Sequence, residues 1–130
     1  VNISTVINIA ILLLIVWFLY TRLKPVTGLT NLKPDEFRQA IKTNAPCMLV
    51  DVREPAEYKR GYIPGAINIP LSQLQQRLSE IPQNKRVFLY CQSGMRSKSA
   101  AKILSKQGYA QISNLQGGVS AWREKLISKK

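Results

Sequence analysis

The spacing of apolar residues divides the chain in two. Across residues 3–20 there is no charge, and only Ser4, Thr5 and Asn8 interrupt a run centred on Ile9-Ala10-Ile11-Leu12-Leu13-Leu14-Ile15-Val16-Trp17-Phe18-Leu19. Apolar residues on every side predict a helix with no water-facing stripe. At 1.5 Å per residue its ~18 positions rise ~27 Å, close to the thickness of a bilayer core. Trp17 and Tyr20 fall where interfacial aromatics sit, with Arg22 and Lys24 just beyond.

After the linker Pro25-Val26-Thr27-Gly28 the pattern changes to short apolar runs separated by amphipathic stretches. Asn31-Leu32-Lys33-Pro34-Asp35-Glu36-Phe37 resembles a helix start, with proline and acids in the first turn, and predicts a helix to about Thr43. The remaining pattern predicts strands at 47–51, 67–69, 86–90 and 111–115. Helices are predicted at 55–60, 71–79, 97–107 and 118–126. Gly61, Pro64, Gly65 and Pro70 mark turns around the second strand, and Gly117-Gly118 marks a sharp turn into a helix carrying Trp122. Strict alternation of strand and helix implies an α/β fold, a mainly parallel sheet flanked by helices on both faces. The expected organisation is an anchor at 1–24 and one domain at 25–130.

Chemistry concentrates at Cys91-Gln92-Ser93-Gly94-Met95-Arg96, which follows the apolar Val87-Phe88-Leu89-Tyr90 and leads into the helix opening at Ser97. A thiol at a strand-to-helix corner faces free N–H groups and the positive end of a helix dipole. With the cation of Arg96 nearby, its pKa is expected to fall well below the ordinary value, which makes Cys91 a nucleophile. A cysteine after a strand can also be a buried small hydrophobe. The serine, glycine and arginine around it form an anion-accepting nest at the carboxyl end of a strand, where open α/β sheets place their ligands.

Two chemistries suit a thiolate in such a cradle, sulfur transfer through a persulfide and phosphate-ester hydrolysis through a cysteinyl phosphate. Cysteine phosphatases have five residues between Cys and Arg; here four intervene. The tighter ring suits one sulfane sulfur. Sulfur transfer needs no strong general acid, and the chain has no histidine, which excludes a Cys-His dyad.

Three segments across about residues 28–126 resemble the single-domain rhodanese (thiosulfate sulfurtransferase) family. They are Asp51-Val52-Arg53-Glu54-Pro55-Ala56-Glu57-Tyr58 with Gly61-Tyr62-Ile63-Pro64-Gly65-Ala66-Ile67-Asn68-Ile69-Pro70, the Cys91 loop with its helix, and Asn114-Leu115-Gln116-Gly117-Gly118-Val119-Ser120-Ala121-Trp122. The chain departs from the pattern at Tyr62, where members commonly have histidine. The resemblance implies a rhodanese fold in which Cys91 accepts sulfane sulfur. Gln92, Ser93, Gly94, Met95 and Arg96 would bind donor and persulfide. Thiosulfate or a persulfide would be the donor and a thiol or cyanide the acceptor, with no cofactor or metal. A carrier or regulatory module without turnover is the second reading, and a cysteine phosphatase or arsenate reductase the third.

Asp51 and Arg53 end a strand at the same sheet edge as Cys91 and are expected, with Ser97, to support the site. For the first two the expected role is a charge-assisted network between loops, and attraction of an anionic donor is the alternative for Arg53. Glu57 is expected to tie its segment down. Cys47, the only other cysteine, opens a buried strand, and a structural role is expected rather than a disulfide with Cys91 or resolution of a persulfide.

The formal net charge of +12 changes the picture of location. Charges flank the apolar segment only on its C-terminal side, which by the positive-inside rule puts a single-pass anchor in the membrane, held in lipid by residues 3–20, and the domain in the cytoplasm. A cleavable signal would carry a basic start and small residues at a cleavage site, and neither is present. A basic domain beside anionic lipid is drawn to headgroups. No aromatic-basic motif or recognition helix points to nucleic acid, so none is expected as a partner.

Overall fold

The computed structural model describes residues 1–44 and 46–128. Five parallel strands form one sheet: β1 (Leu29–Leu32), β2 (Met48–Asp51), β3 (Ile67–Asn68), β4 (Val87–Tyr90) and β5 (Ile112–Leu115), in the order β1-β5-β4-β2-β3. Every residue of β4 and β5 is buried, because parallel neighbours require helical crossovers that cover both faces.

The helices are α1 (Ile3–Leu23), α2 (Pro34–Thr43), α3 (Pro55–Arg60), α4 (Met95–Lys106) and α5 (Gly118–Ala121). One face of the sheet packs Val50, Leu89 and Ile112 against Ala100, Ala101 and Leu104 of α4 and against Leu74 and Ile81. The other packs Leu49, Phe88 and Leu115 against Phe37 of α2, Tyr58 of α3 and Trp122. Phe37 sits edge-on to Phe88 at 5.5 Å and to Trp122 at 6.1 Å. Fully buried side chains such as Phe37 and Phe88 each stabilise the fold by about 2 kcal/mol.

The architecture matches the α/β expectation, with local differences. Residues 29–32, of which Asn31 and Leu32 are read from the sequence as the start of a helix, form edge strand β1, and α2 begins at Pro34. The stretch 71–79 is not an α-helix. It is two 3-10 segments, Leu71–Gln73 and Gln75–Glu80, with Arg77 leaving helical geometry at φ −114°. The last helix is four residues instead of nine: Trp122 turns extended so that its ring reaches Phe37, and Ile127 returns to pair its backbone with Tyr62. Tyr62 stacks on Tyr58 at 4.1 Å, so an aromatic fills the place where the family pattern has histidine.

α1 is capped by Asn2, whose side chain accepts from the Thr5 N–H at 2.9 Å. It buries none of its residues against the protein, and it is long and apolar enough to cross a membrane.

Candidate active site

β2 and β4 end level with each other, Asp51 beside Tyr90, and this places Cys91 at the C-terminal edge of the sheet. Its side chain is 1% exposed and belongs to the same core face as Val52, Ala100 and Ala101. Gly94 then takes φ +108°, a left-handed conformation that suits glycine, and caps α4. That turn directs the Gly94 N–H at Cys91 Sγ, 3.0 Å away. The Ser97 hydroxyl lies 3.4 Å from the same sulfur and 3.1 Å from the Gly94 carbonyl, to which it can donate.

Burial pushes the Cys91 thiol up, but hydrogen bonds from the Ser97 hydroxyl and from the N–H groups of Ser97, Gly94 and Ser93 outweigh it, and the net direction is down. The sulfur is therefore an anion site built from short-range donors. The expected contribution of Arg96 takes a different form. Its Nη1 and Nη2 donate to the two carboxylate oxygens of Glu57 at 2.7 and 2.9 Å, so a carboxylate fixes the direction of this cation beside the loop. Bonded to Arg96, Glu57 is held well below the usual carboxylate range, at about 2.

Asp51 and Arg53 form the buried network expected of them. Arg53 Nη2 donates to Asp51 Oδ2 at 2.8 Å, Nε reaches both carboxylate oxygens at 3.1 Å, and a further bond goes to the Gly61 carbonyl. The remaining nitrogen, Nη1, donates to Gln92 Oε1 at 3.2 Å, which couples this pair to the Cys91 loop. Cys47 lies elsewhere. It precedes β2 at the opposite end of the sheet and packs on the opposite face from Cys91, so the two sulfurs cannot meet.

The far side of the loop is held by the Gly117-Gly118 turn and the start of α5. Val119 and Ser120 donate their N–H groups to the carbonyls of Cys91 and Gln92 at 2.9 and 3.0 Å, and Gln92 Nε2 donates to Ser120 Oγ at 3.1 Å. A Cβ on Gly118 would collide with those same two carbonyls. The Gly117-Gly118 pair was the visible signal of this approach; Ser120 left none.

All the predicted loop residues are brought together. Met95, 78% exposed, lies at the surface and lines a cavity beside Ser93 and Gly94. Two small cavities flank the loop: one of ≈ 350 Å³ lined by Arg53, Arg60 and Gln92, the other of ≈ 290 Å³ lined by Ser93, Gly94 and Lys98. A larger cavity, of ≈ 560 Å³ beside Cys47 and Trp122, is lined by none of these loop residues. The arrangement can hold a sulfur anion.

The family model of the rhodanese-like domain matches residues 33–125. The chain belongs to this family. A sulfurtransferase of Allochromatium vinosum is 41% identical over 88 residues, 68% of this chain and 82% of that one. Uncharacterized protein YqhL of Bacillus subtilis is 48% identical over 100 residues, 77% of each chain. The crystal structure of a rhodanese-like domain protein from Staphylococcus aureus superposes with a TM-score of 0.71 at 30% identity, covering 78% of this chain and 99% of that one.

Proposed function

We propose that this rhodanese-like protein is a membrane-anchored sulfurtransferase in which Cys91 carries sulfane sulfur from thiosulfate or a persulfide donor to a thiol or cyanide. The observation that carries the reading is the Gly94 N–H aimed at Cys91 Sγ at 3.0 Å, with the Ser97 hydroxyl on its other side. Donors that hold a thiolate also hold the terminal sulfur of a persulfide after a small shift.

In the first half-reaction the Cys91 thiolate attacks the outer sulfur of thiosulfate. A new S–S bond forms, the bond to the sulfonate sulfur breaks, and its electron pair leaves with sulfite. In the second half-reaction the acceptor anion attacks the outer sulfur of the Cys91 persulfide. The Cys91 thiolate departs, and thiocyanate or an acceptor persulfide is released. No proton need move in either step, which accords with the absence of histidine. Gln92 and Arg53 hold the loop open on one side, and Arg60 and Lys98 supply cations at the two cavities.

The apolar, unburied α1 supports the anchor, with the domain on the cytoplasmic side by the charge rule. Mass measurement after thiosulfate treatment tests the chemistry. A gain of about 32 Da, one sulfur, is expected on wild type and lost in Cys91→Ser. Turnover of cyanide by wild type without any such adduct would overturn the mechanism. Loading without turnover would assign the chain to sulfur carriage.

A further inference from the structure

The short connection between α1 and the sheet fixes which end of the domain lies next to the anchor. It does not hang free: Val26 packs on the core, Thr27 O accepts from Ser105 Oγ at 2.7 Å, and Gly28 O accepts from the Ile112 N–H at 2.9 Å. The chain thus passes from α1 directly into the N-terminal end of β1. Because all strands are parallel, Leu29, Ile112, Val87 and Met48 form one row at that end. Cys91 lies four residues beyond Val87, ~13 Å further from the anchor at the strand rise.

Charge is distributed along the same axis. Arg22 and Lys24 end α1, Lys85 and Arg86 precede β4, and Lys42 and Lys106 close α2 and α4, whose C-termini both point to this edge. All six are exposed, and among the described residues none of them takes part in an ion pair. Five of the seven acids, Asp35, Glu36, Asp51, Glu54 and Glu57, lie instead at the C-terminal edge, in the first turns of α2 and α3 or at the end of β2. Glu80, nearer the basic edge, is held by Arg77 at 2.6 Å. Arg86 also lines a polar cavity of ≈ 310 Å³ with Gly28, Thr30 and Gln111, at the foot of the anchor.

We propose that the N-terminal edge of the sheet is a lipid-contacting face that takes the phosphates of anionic headgroups, and that the Cys91 loop therefore opens away from the bilayer toward water-soluble donors and acceptors. This rests on the anchoring reading. Six cations on a face that the tether holds near the surface gain attraction from each charge, lost as salt rises. Among the described residues nothing at the Cys91 edge offers a comparable field, since its acids offset its cations.

Amide hydrogen exchange of the full chain in nanodiscs tests it, comparing phosphatidylcholine alone with phosphatidylcholine plus phosphatidylserine. Exchange in 82–86 and 106–111 is expected to slow with the anionic lipid while 92–96 is unchanged. Lys85→Gln/Arg86→Gln/Lys106→Gln should abolish that difference, each lost charge weakening the contact about five-fold. Protection of 92–96 by lipid, or none anywhere in a chain that has incorporated, overturns the proposal and leaves the anchor standing. Failure to incorporate even into neutral nanodiscs overturns the anchor and the proposal with it. Protection of 82–86 by added duplex RNA but not by phosphatidylserine would assign the face to a polynucleotide and also overturn it.

Discussion

The hydroxyl of Ser97 stands between the sulfur of Cys91, at 3.4 Å, and the carbonyl of Gly94, at 3.1 Å, and it has one proton to give. With a neutral thiol, S–H can donate to Ser97 while Ser97 donates to Gly94. With a thiolate or persulfide, the same proton turns to sulfur. The hydroxyl therefore stabilises the anion without needing to ionise, and Ser97 acts as a switchable donor in a chain that lacks histidine.

Ser97→Ala removes that donor from a fully buried position with almost no change of volume. A hydrogen bond to a charged group is worth about 1.5 kcal/mol, which corresponds to roughly one pH unit. The iodoacetamide reaction of Cys91, followed against pH, should move its midpoint upward by about that amount, and sulfur loading at a pH below the wild-type midpoint should slow about ten-fold. An unmoved midpoint would show that the backbone N–H groups alone set the thiolate.

Arg53 is buried against Asp51 and spends its last donor on Gln92. Removing one member of a buried pair leaves an uncompensated charge, at a cost of about 3–5 kcal/mol. Asp51→Ala should lower the urea midpoint of the detergent-solubilised chain by that equivalent. Arg53→Met should destabilise in the same direction, because it leaves the fully buried Asp51 side chain without its partner. The pair together should cost less than the sum of the singles, since neither leaves a stranded charge. Additive losses would mean that the two act independently.

Gly118 has φ +61° and sits where any Cβ would strike the carbonyls of Cys91 and Gln92. Gly118→Ala should therefore distort the loop and abolish sulfur transfer, with a loss of stability of several kcal/mol. Gly65 is the control: its φ is +90° but nothing lies near a Cβ there. Gly65→Ala should cost only the backbone term, about 1 kcal/mol, and keep activity. Equal effects at the two sites would attribute both to backbone strain.

What could be read along the chain is what is local to it. β4 is a continuous apolar run and β2 an apolar run ending in Asp51, because both are covered on both faces, and the Cys91 loop is contiguous. β1 carries Thr30 and Asn31 at a half-exposed edge, so its pattern matched no strand template and its pairing with β5 decides it. Trp122 leaves the helical path for a contact with Phe37, 85 positions earlier, a tertiary preference that helix spacing cannot encode. The partners of the site are equally remote: Glu57 is 39 residues from Arg96, and Ser120 is 28 from Gln92. A loop motif shows which groups are present; which of them are already engaged emerges only when α3 and α5 close on it.

The Glu57–Arg96 pair yields a signed pH dependence. Glu57 titrates at about 2 in the folded chain, below the ~4.3 of an unfolded glutamate. A depressed folded pKa contributes stability that is fully present above the unfolded value and is lost as pH falls through the folded one, here between about 5 and 2. Both side chains are partly exposed, 25% and 36%, so solvent screening reduces the contribution to about 1 kcal/mol. Glu57→Gln should accordingly be less stable than wild type by about 1 kcal/mol at pH 7, and urea midpoints of the two should converge near pH 2. A difference that persists unchanged into acid would locate the effect in the packing of α3 and not in the ion pair that holds Arg96.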